Sequence, residues 1–143
     1  MATIEKAIET AAKAHAGQLD KGGEPYILHP LRVMLRMNNN LERMAAVLHD
    51  VVEDSDITLE KLSEEGFSAE VIEAVAALTK LPGETRLQAA ERAARNPIAR
   101  MVKLADNAEN MDISRIPNPT EKDIARLHEY EAVRKILLTA NMA

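Results

Sequence analysis

Cysteine is absent from the 143 residues, and tryptophan with it. The first absence excludes a disulfide framework and a thiolate metal site, so any metal must sit on nitrogen and oxygen ligands. That donor set suits Mn, Fe, Mg or Zn. One Phe and two Tyr leave little for stacking bases on aromatic platforms. No apolar run approaches the roughly 18 residues of a membrane span, and the amphipathic opening MATIEKAIETAAKAHAG lacks a signal peptide's apolar segment. The expectation is a cytoplasmic, soluble chain. A surplus of positive charge is lacking too: 18 Lys and Arg against 23 Asp and Glu give a formal charge of -5. This argues against a nucleic-acid surface, which needs many cations to neutralise phosphates. An anionic small molecule remains compatible, because a few local cations outweigh a mildly acidic average.

The length fits one domain over residues 1–143. Runs of alternating β-branched residues are missing, and helical periodicity predicts an all-α bundle of about eight helices. Thr3 caps a first helix reaching about residue 16, closed by Gly17. Pro30 suits the first turn of a second, ending near residue 38, where Asn38-Asn39-Asn40 forms a helix-ending turn. A third covers about 41–54. Thr58 and Ser68 cap a fourth and fifth, Leu81-Pro82-Gly83-Glu84 turns into a sixth, Asn96-Pro97 opens a seventh, and the last spans about 120–139. The seven methionines read as core filler.

The chemistry concentrates in AAVLHDVVED, where His49, Asp50, Glu53 and Asp54 interrupt an apolar segment. On a continuous helix, offsets of three and four residues put all four on neighbouring sectors of one surface. Adjacent His and Asp are by themselves more often a solvated pair. The apolar setting changes the balance, because buried carboxylates without partners cost several kcal/mol. Partners are few among four histidines. His29 stands before Pro30 at a helix entrance, and Asp106 ends the apolar run Met101-Val102-Lys103-Leu104-Ala105. His29, His49, Asp50 and Asp106 would form a shell of two imidazoles and two carboxylates suited to a hydrolytic divalent cation. Glu53 and Asp54 would orient or deprotonate its water. The rival reading is a satisfied buried polar network without metal. His15 caps carbonyls or packs on the core, and His128, beside Glu129 and Glu131, faces solvent.

His29, the His49-Asp50 doublet and Asp106 match the H…HD…D pattern of the HD-domain metal-dependent phosphohydrolases. More narrowly, His15-Ala16-Gly17-Gln18, Gly23-Glu24-Pro25-Tyr26-Ile27-Leu28-His29-Pro30, Leu48-His49-Asp50-Val51-Val52-Glu53-Asp54, Leu78-Thr79-Lys80-Leu81 and Lys103-Leu104-Ala105-Asp106 resemble the hydrolase domain of RelA/SpoT homologues. The small alarmone hydrolases, including the metazoan SpoT homologue, are the most similar form. The resemblance implies Mn(II)-dependent release of the 3′-pyrophosphate from guanosine tetra- or pentaphosphate by a metal-bound water. By position it makes His29, His49, Asp50 and Asp106 metal ligands, and Glu53 and Asp54 the groups that activate water. Asn110 would line the nucleoside pocket, and Lys21, Lys80, Arg86, Arg126 and Tyr130 would contact phosphate. Each of those cations can equally be a solvated surface charge, and Tyr130 a core residue with a wet hydroxyl.

Two departures concern the base. The family usually places a guanine-stacking Arg after Gly17-Gln18, whereas this chain has Leu19-Asp20-Lys21. Its common Arg-Leu-His-Asn-Met-Arg after the ligand Asp becomes Asn107-Ala108-Glu109-Asn110-Met111-Asp112 here, which adds two acids. Adenosine alarmones, NADPH or nucleoside monophosphates are therefore alternative substrates. A catalytically inactive nucleotide-sensing module is the alternative outside enzymes.

Overall fold

The computed structural model describes residues 1–112, 114 and 116–139. Among them the chain forms nine α-helices: α1 Ile4–Ala14, α2 Leu28–Leu35, α3 Asn40–Leu48, α4 Val51–Asp54, α5 Leu59–Glu64, α6 Ala69–Leu78, α7 Arg86–Ala94, α8 Pro97–Asn110 and α9 Glu121–Thr139. The extended pairing among the described residues is an isolated bridge between Leu19 and Pro25, which closes the α1–α2 loop. The all-α expectation holds.

Local chemistry sets most boundaries. The side chains of Thr3, Thr58 and Ser68 accept the N–H of the residue three places on, satisfying a donor that the first turn leaves open. Thr85 and Gln88 form a reciprocal capping box, and Asn96 caps α8 with Pro97 in its first turn. The Asn-rich segment differs from expectation. Asn39 starts a helix by accepting the Glu42 N–H at 2.9 Å. The first helix is also shorter than its periodicity suggests: His15 ends it, and Gly17 turns the chain at φ 84°.

α3 lies at the centre, packed on α1, α2, α6 and α8. Ala45, Ala46, Val47 and Leu48 are wholly buried, so the last turn of this helix is apolar on all sides. A second cluster, built from Ala90, Ala94, Val133 and Leu137, holds α7 and α9 together against α8. Met34 and Met37 are buried and Met44 and Met101 pack on the core, whereas Met1 is exposed and Met142 lies outside the described residues.

The main departure from the sequence reading is a break between α3 and α4, where one helix was expected. Asp50 leaves helical geometry at φ −104°, ψ 0°. His49 bends back over the helix end, with Nδ1 2.5 Å from the Ala46 carbonyl oxygen. The imidazole and carboxylate leave the 3.6-residue register here and project from a corner.

Candidate active site

His29 enters from the first turn of α2, and His49 and Asp50 from the α3–α4 corner. One ligand atom from each lies within 4.8 Å of the others. Asp106 comes from α8 and touches both imidazoles, with Oδ1 2.7 Å from His29 Nε2 and 3.4 Å from His49 Nε2. Lys103 Nζ at 3.3 Å and Asn110 Nδ2 at 3.2 Å brace the same carboxylate. These residues fit a divalent cation on one observation. The His49 ring is oriented by Nδ1 donating to Ala46, and its buried Nε2 has no aligned hydrogen-bond partner although Asp50 Oδ2 lies only 3.0 Å away. A histidine fixed through one nitrogen, with the other facing carboxylates, is the arrangement of a metal ligand.

The electrostatics follow from burial and from this crowding. Burial opposes the charge on His49, but Asp50 and Asp106 outweigh it and raise the imidazole well above its ordinary pKa. Burial likewise opposes the charge on Asp106, yet Lys103 and His49 hold its carboxyl well below the usual range. Burial pushes the Tyr26 hydroxyl upward, with the Asp50 charge adding to it, so it remains a proton donor.

Two adjoining cavities open here, and Tyr26, His29, Asn110 and Tyr130 belong to the walls of both. One, of about 280 Å³, contains Asp50, Asp106, Glu53, Asp54, Lys80 and Arg86. Glu53 and Asp54 reach solvent at its lip, and partial burial raises both carboxyl pKa values. The Lys80 backbone N–H donates a short hydrogen bond to Glu53 Oε1. Arg86 Nε lies 3.0 Å from Glu129, its guanidinium sits 5.0 Å from the Tyr130 ring centroid, and its buried Nη1 is unpartnered.

The second cavity, of about 270 Å³, contains Asp20, Lys21, Asp112 and Arg126. Lys21 Nζ lies 3.5 Å from Asp123, so it already has an anionic partner. Asp20 is drawn into its own loop, where Oδ1 accepts the N–H groups of Gly22 and Glu24. Glu109 does not line either cavity. It binds Arg32 at 3.0 Å and Arg36 at 2.6 Å, joining α8 to α2. Thus the sequence placed one acid too many beside the pocket. His15 is buried, with Nδ1 2.8 Å from Gln18 Oε1, and His128 is exposed.

Sequence reasoning missed Tyr26 and Lys103. Lys103 stands three residues before Asp106 on α8, a helical spacing that could have shown the contact, whereas nothing in the spacing links Tyr26 to Asp50, 24 residues on. The third omission, Arg92, anchors the loop that carries Lys80. It donates to the Ala76 and Thr79 carbonyls at 3.1 and 2.6 Å, and its Nε lies 2.9 Å from Glu84.

Over 142 residues the chain is 37% identical to a probable GTP pyrophosphokinase of Mycobacterium leprae, covering 90% of this chain and 18% of that protein. It is 41% identical over 116 residues to a guanosine-3′,5′-bis(diphosphate) 3′-pyrophosphohydrolase of Haemophilus influenzae, covering 71% of this chain and 17% of the relative. The chain therefore spans under a fifth of the length of these curated relatives. A solved metazoan orthologue of SpoT, described as hydrolysing ppGpp, superposes with a TM-score of 0.81 at 26% identity, covering 99% of this chain and 88% of that one. No described helix is long and apolar enough to cross a membrane. The HD-domain family model matches residues 7–105, across the His29, His49-Asp50 segment and up to the residue before Asp106, and the chain belongs to the HD-domain family.

Proposed function

We propose that residues 1–143 form one HD hydrolase domain that releases the 3′-pyrophosphate of guanosine 3′,5′-bis(diphosphate)-type alarmones. The observation that carries this reading is the convergence of His29, His49, Asp50 and Asp106, three of which line one cavity with Glu53, Asp54, Lys80 and Arg86 while the buried His49 touches Asp50 and Asp106. The hydrolases among the relatives support the substrate.

His29, His49, Asp50 and Asp106 would hold a divalent cation, with Mn(II) as the proposed ion. Bound there, it supplies Lewis acidity that polarises a phosphoryl oxygen and acidifies water. Glu53 and Asp54 take the proton of the attacking water, for which their raised pKa values make them better bases than ordinary carboxylates. Water oxygen bonds to the phosphorus attached to the 3′ oxygen, that P–O bond breaks, and the 3′ oxygen recovers a proton as pyrophosphate departs. Lys80 and Arg86 offset the charge that develops on the phosphoryl oxygens. The nucleoside extends past Asn110 and Tyr130 into the adjoining cavity.

Asp20, Asp112 and Asp123 in that second cavity favour a further reading, in which the same centre acts on an adenosine alarmone, NADPH or a nucleoside monophosphate. Incubating Mn-loaded protein with each of these and with guanosine alarmones tests both. Guanosine diphosphate and pyrophosphate are the products expected from the guanosine tetraphosphate. No turnover of any nucleotide by protein that binds metal normally would overturn the hydrolase reading.

A further inference from the structure

We infer that Tyr26 is a positioning residue, whose hydroxyl holds the Asp50 carboxylate in place to receive a divalent cation. The inference rests on the metal-centre reading above and adds to it a residue outside the ligand set.

Asp50 is the member of that set with the least support from its own backbone. It stands at the α3–α4 corner, outside the helical interior that fixes a side chain's direction, and α4 has only four residues. An Asp at the residue preceding a helix ordinarily caps it by accepting an N–H from the first turn. Asp50 makes no such bond. Its Oδ2 instead accepts the Tyr26 hydroxyl, the hydrogen-bond donor it has among the described residues. The other candidates have different anchors: Ala46 for His49, Lys103 and Asn110 for Asp106, and the body of α2 for His29.

Tyr26 is itself immobilised. Its ring packs 4.9 Å from that of His15 and 5.7 Å from that of His29 between centroids. Its backbone N–H donates to the Gln18 carbonyl at 2.8 Å, and the Gln18 side chain reaches the Asp54 carbonyl at 3.0 Å. The phenol thus forms a rigid strut between the α1–α2 loop and the corner. A carboxylate oxygen has two lone pairs, so one can accept the phenol while the other remains for a cation. Groups that orient a ligand from outside the coordination shell change metal affinity by roughly 10- to 100-fold.

Mn(II) alone, titrated calorimetrically into the full chain without nucleotide, tests this with Tyr26→Phe, Tyr26→Leu and Asp50→Asn. Tyr26→Phe keeps the ring between the two imidazoles and removes only the hydroxyl. The expected result is a Kd about 10- to 100-fold weaker in both Tyr26 variants, with binding lost in Asp50→Asn. Alarmone hydrolysis by Tyr26→Phe should recover toward the parent kcat as Mn(II) is raised, at unchanged nucleotide KM. Parental Mn(II) affinity in Tyr26→Phe, with only Tyr26→Leu impaired, would reduce the residue to packing and overturn the inference. A raised KM at saturating Mn(II) would overturn it in favour of substrate contact. Normal binding by Asp50→Asn would instead overturn the metal-centre reading itself.

Discussion

His29 and Asp106, 77 residues apart in the chain, meet at 2.7 Å between Nε2 and Oδ1. The contact joins α2 to α8 and gives the buried carboxylate a hydrogen-bond partner without a metal ion. Chelation should therefore leave the helical circular dichroism intact. Restoring Mn(II) at 100 times its Kd should add about 2.7 kcal/mol, a rise in Tm of roughly 5–11 °C for a chain of this size. Differential scanning calorimetry with and without metal measures this. Unfolding on chelation would show the His29–Asp106 contact to be insufficient.

Removing the proposed base should separate catalysis from metal binding. Glu53→Gln and Asp54→Asn are each expected to lower kcat by about 10²- to 10⁴-fold, while elemental analysis shows unchanged metal content. Loss of metal along with activity would place these carboxylates among the ligands instead.

Arg86 rests against Tyr130 and Glu129, with one buried guanidinium nitrogen unpartnered. Arg86→Ala should lower kcat/KM for the alarmone by roughly 10- to 100-fold, the value of a charged hydrogen bond of about 1.5–3 kcal/mol. Mn(II) affinity should not change. Steady-state kinetics beside a metal titration tests both statements.

The Glu84–Arg92 pair gives a pH dependence of stability. Hydrogen bonding from Arg92 lowers the Glu84 carboxyl to about 2 from 4.5. Because the folded value is the lower one, the contribution is fully present above about pH 4.5 and fades as pH falls toward 2. Urea unfolding between pH 5 and 3 should show a shallower acid-side loss in Glu84→Gln than in the parent. An unchanged slope would show that the pair adds nothing.

Capping residues were readable because their bonds span only three positions: Thr3, Thr58 and Ser68 need nothing from the rest of the molecule. The third helix misled for the complementary reason. Its apolar periodicity continues through Val51 and Val52, yet the His49 side chain takes up the Ala46 carbonyl and the chain turns at Asp50. Periodicity records which residues avoid water, and Val51 does so on either side of a break. Glu109 misled in another way. Its place in the segment 107–112 suggested the substrate cavity, whereas one residue of offset from Asn110 turns its side chain by about 100° around α8. Arg32 and Arg36, on a different helix, take it.

Taken by itself, the sequence determined the helical class, most helix starts and the stock of groups able to bind a metal. The absence of cysteine left only nitrogen and oxygen donors, and burial around a His-Asp doublet required partners for its charges. Tertiary structure decided which groups meet. It brought Tyr26 under the Asp50 carboxylate, set Asp106 against His29 and His49, and gave Glu109 to Arg32 and Arg36. Those outcomes depend on packing between segments distant in the chain, and distance through space is what a linear spacing does not encode.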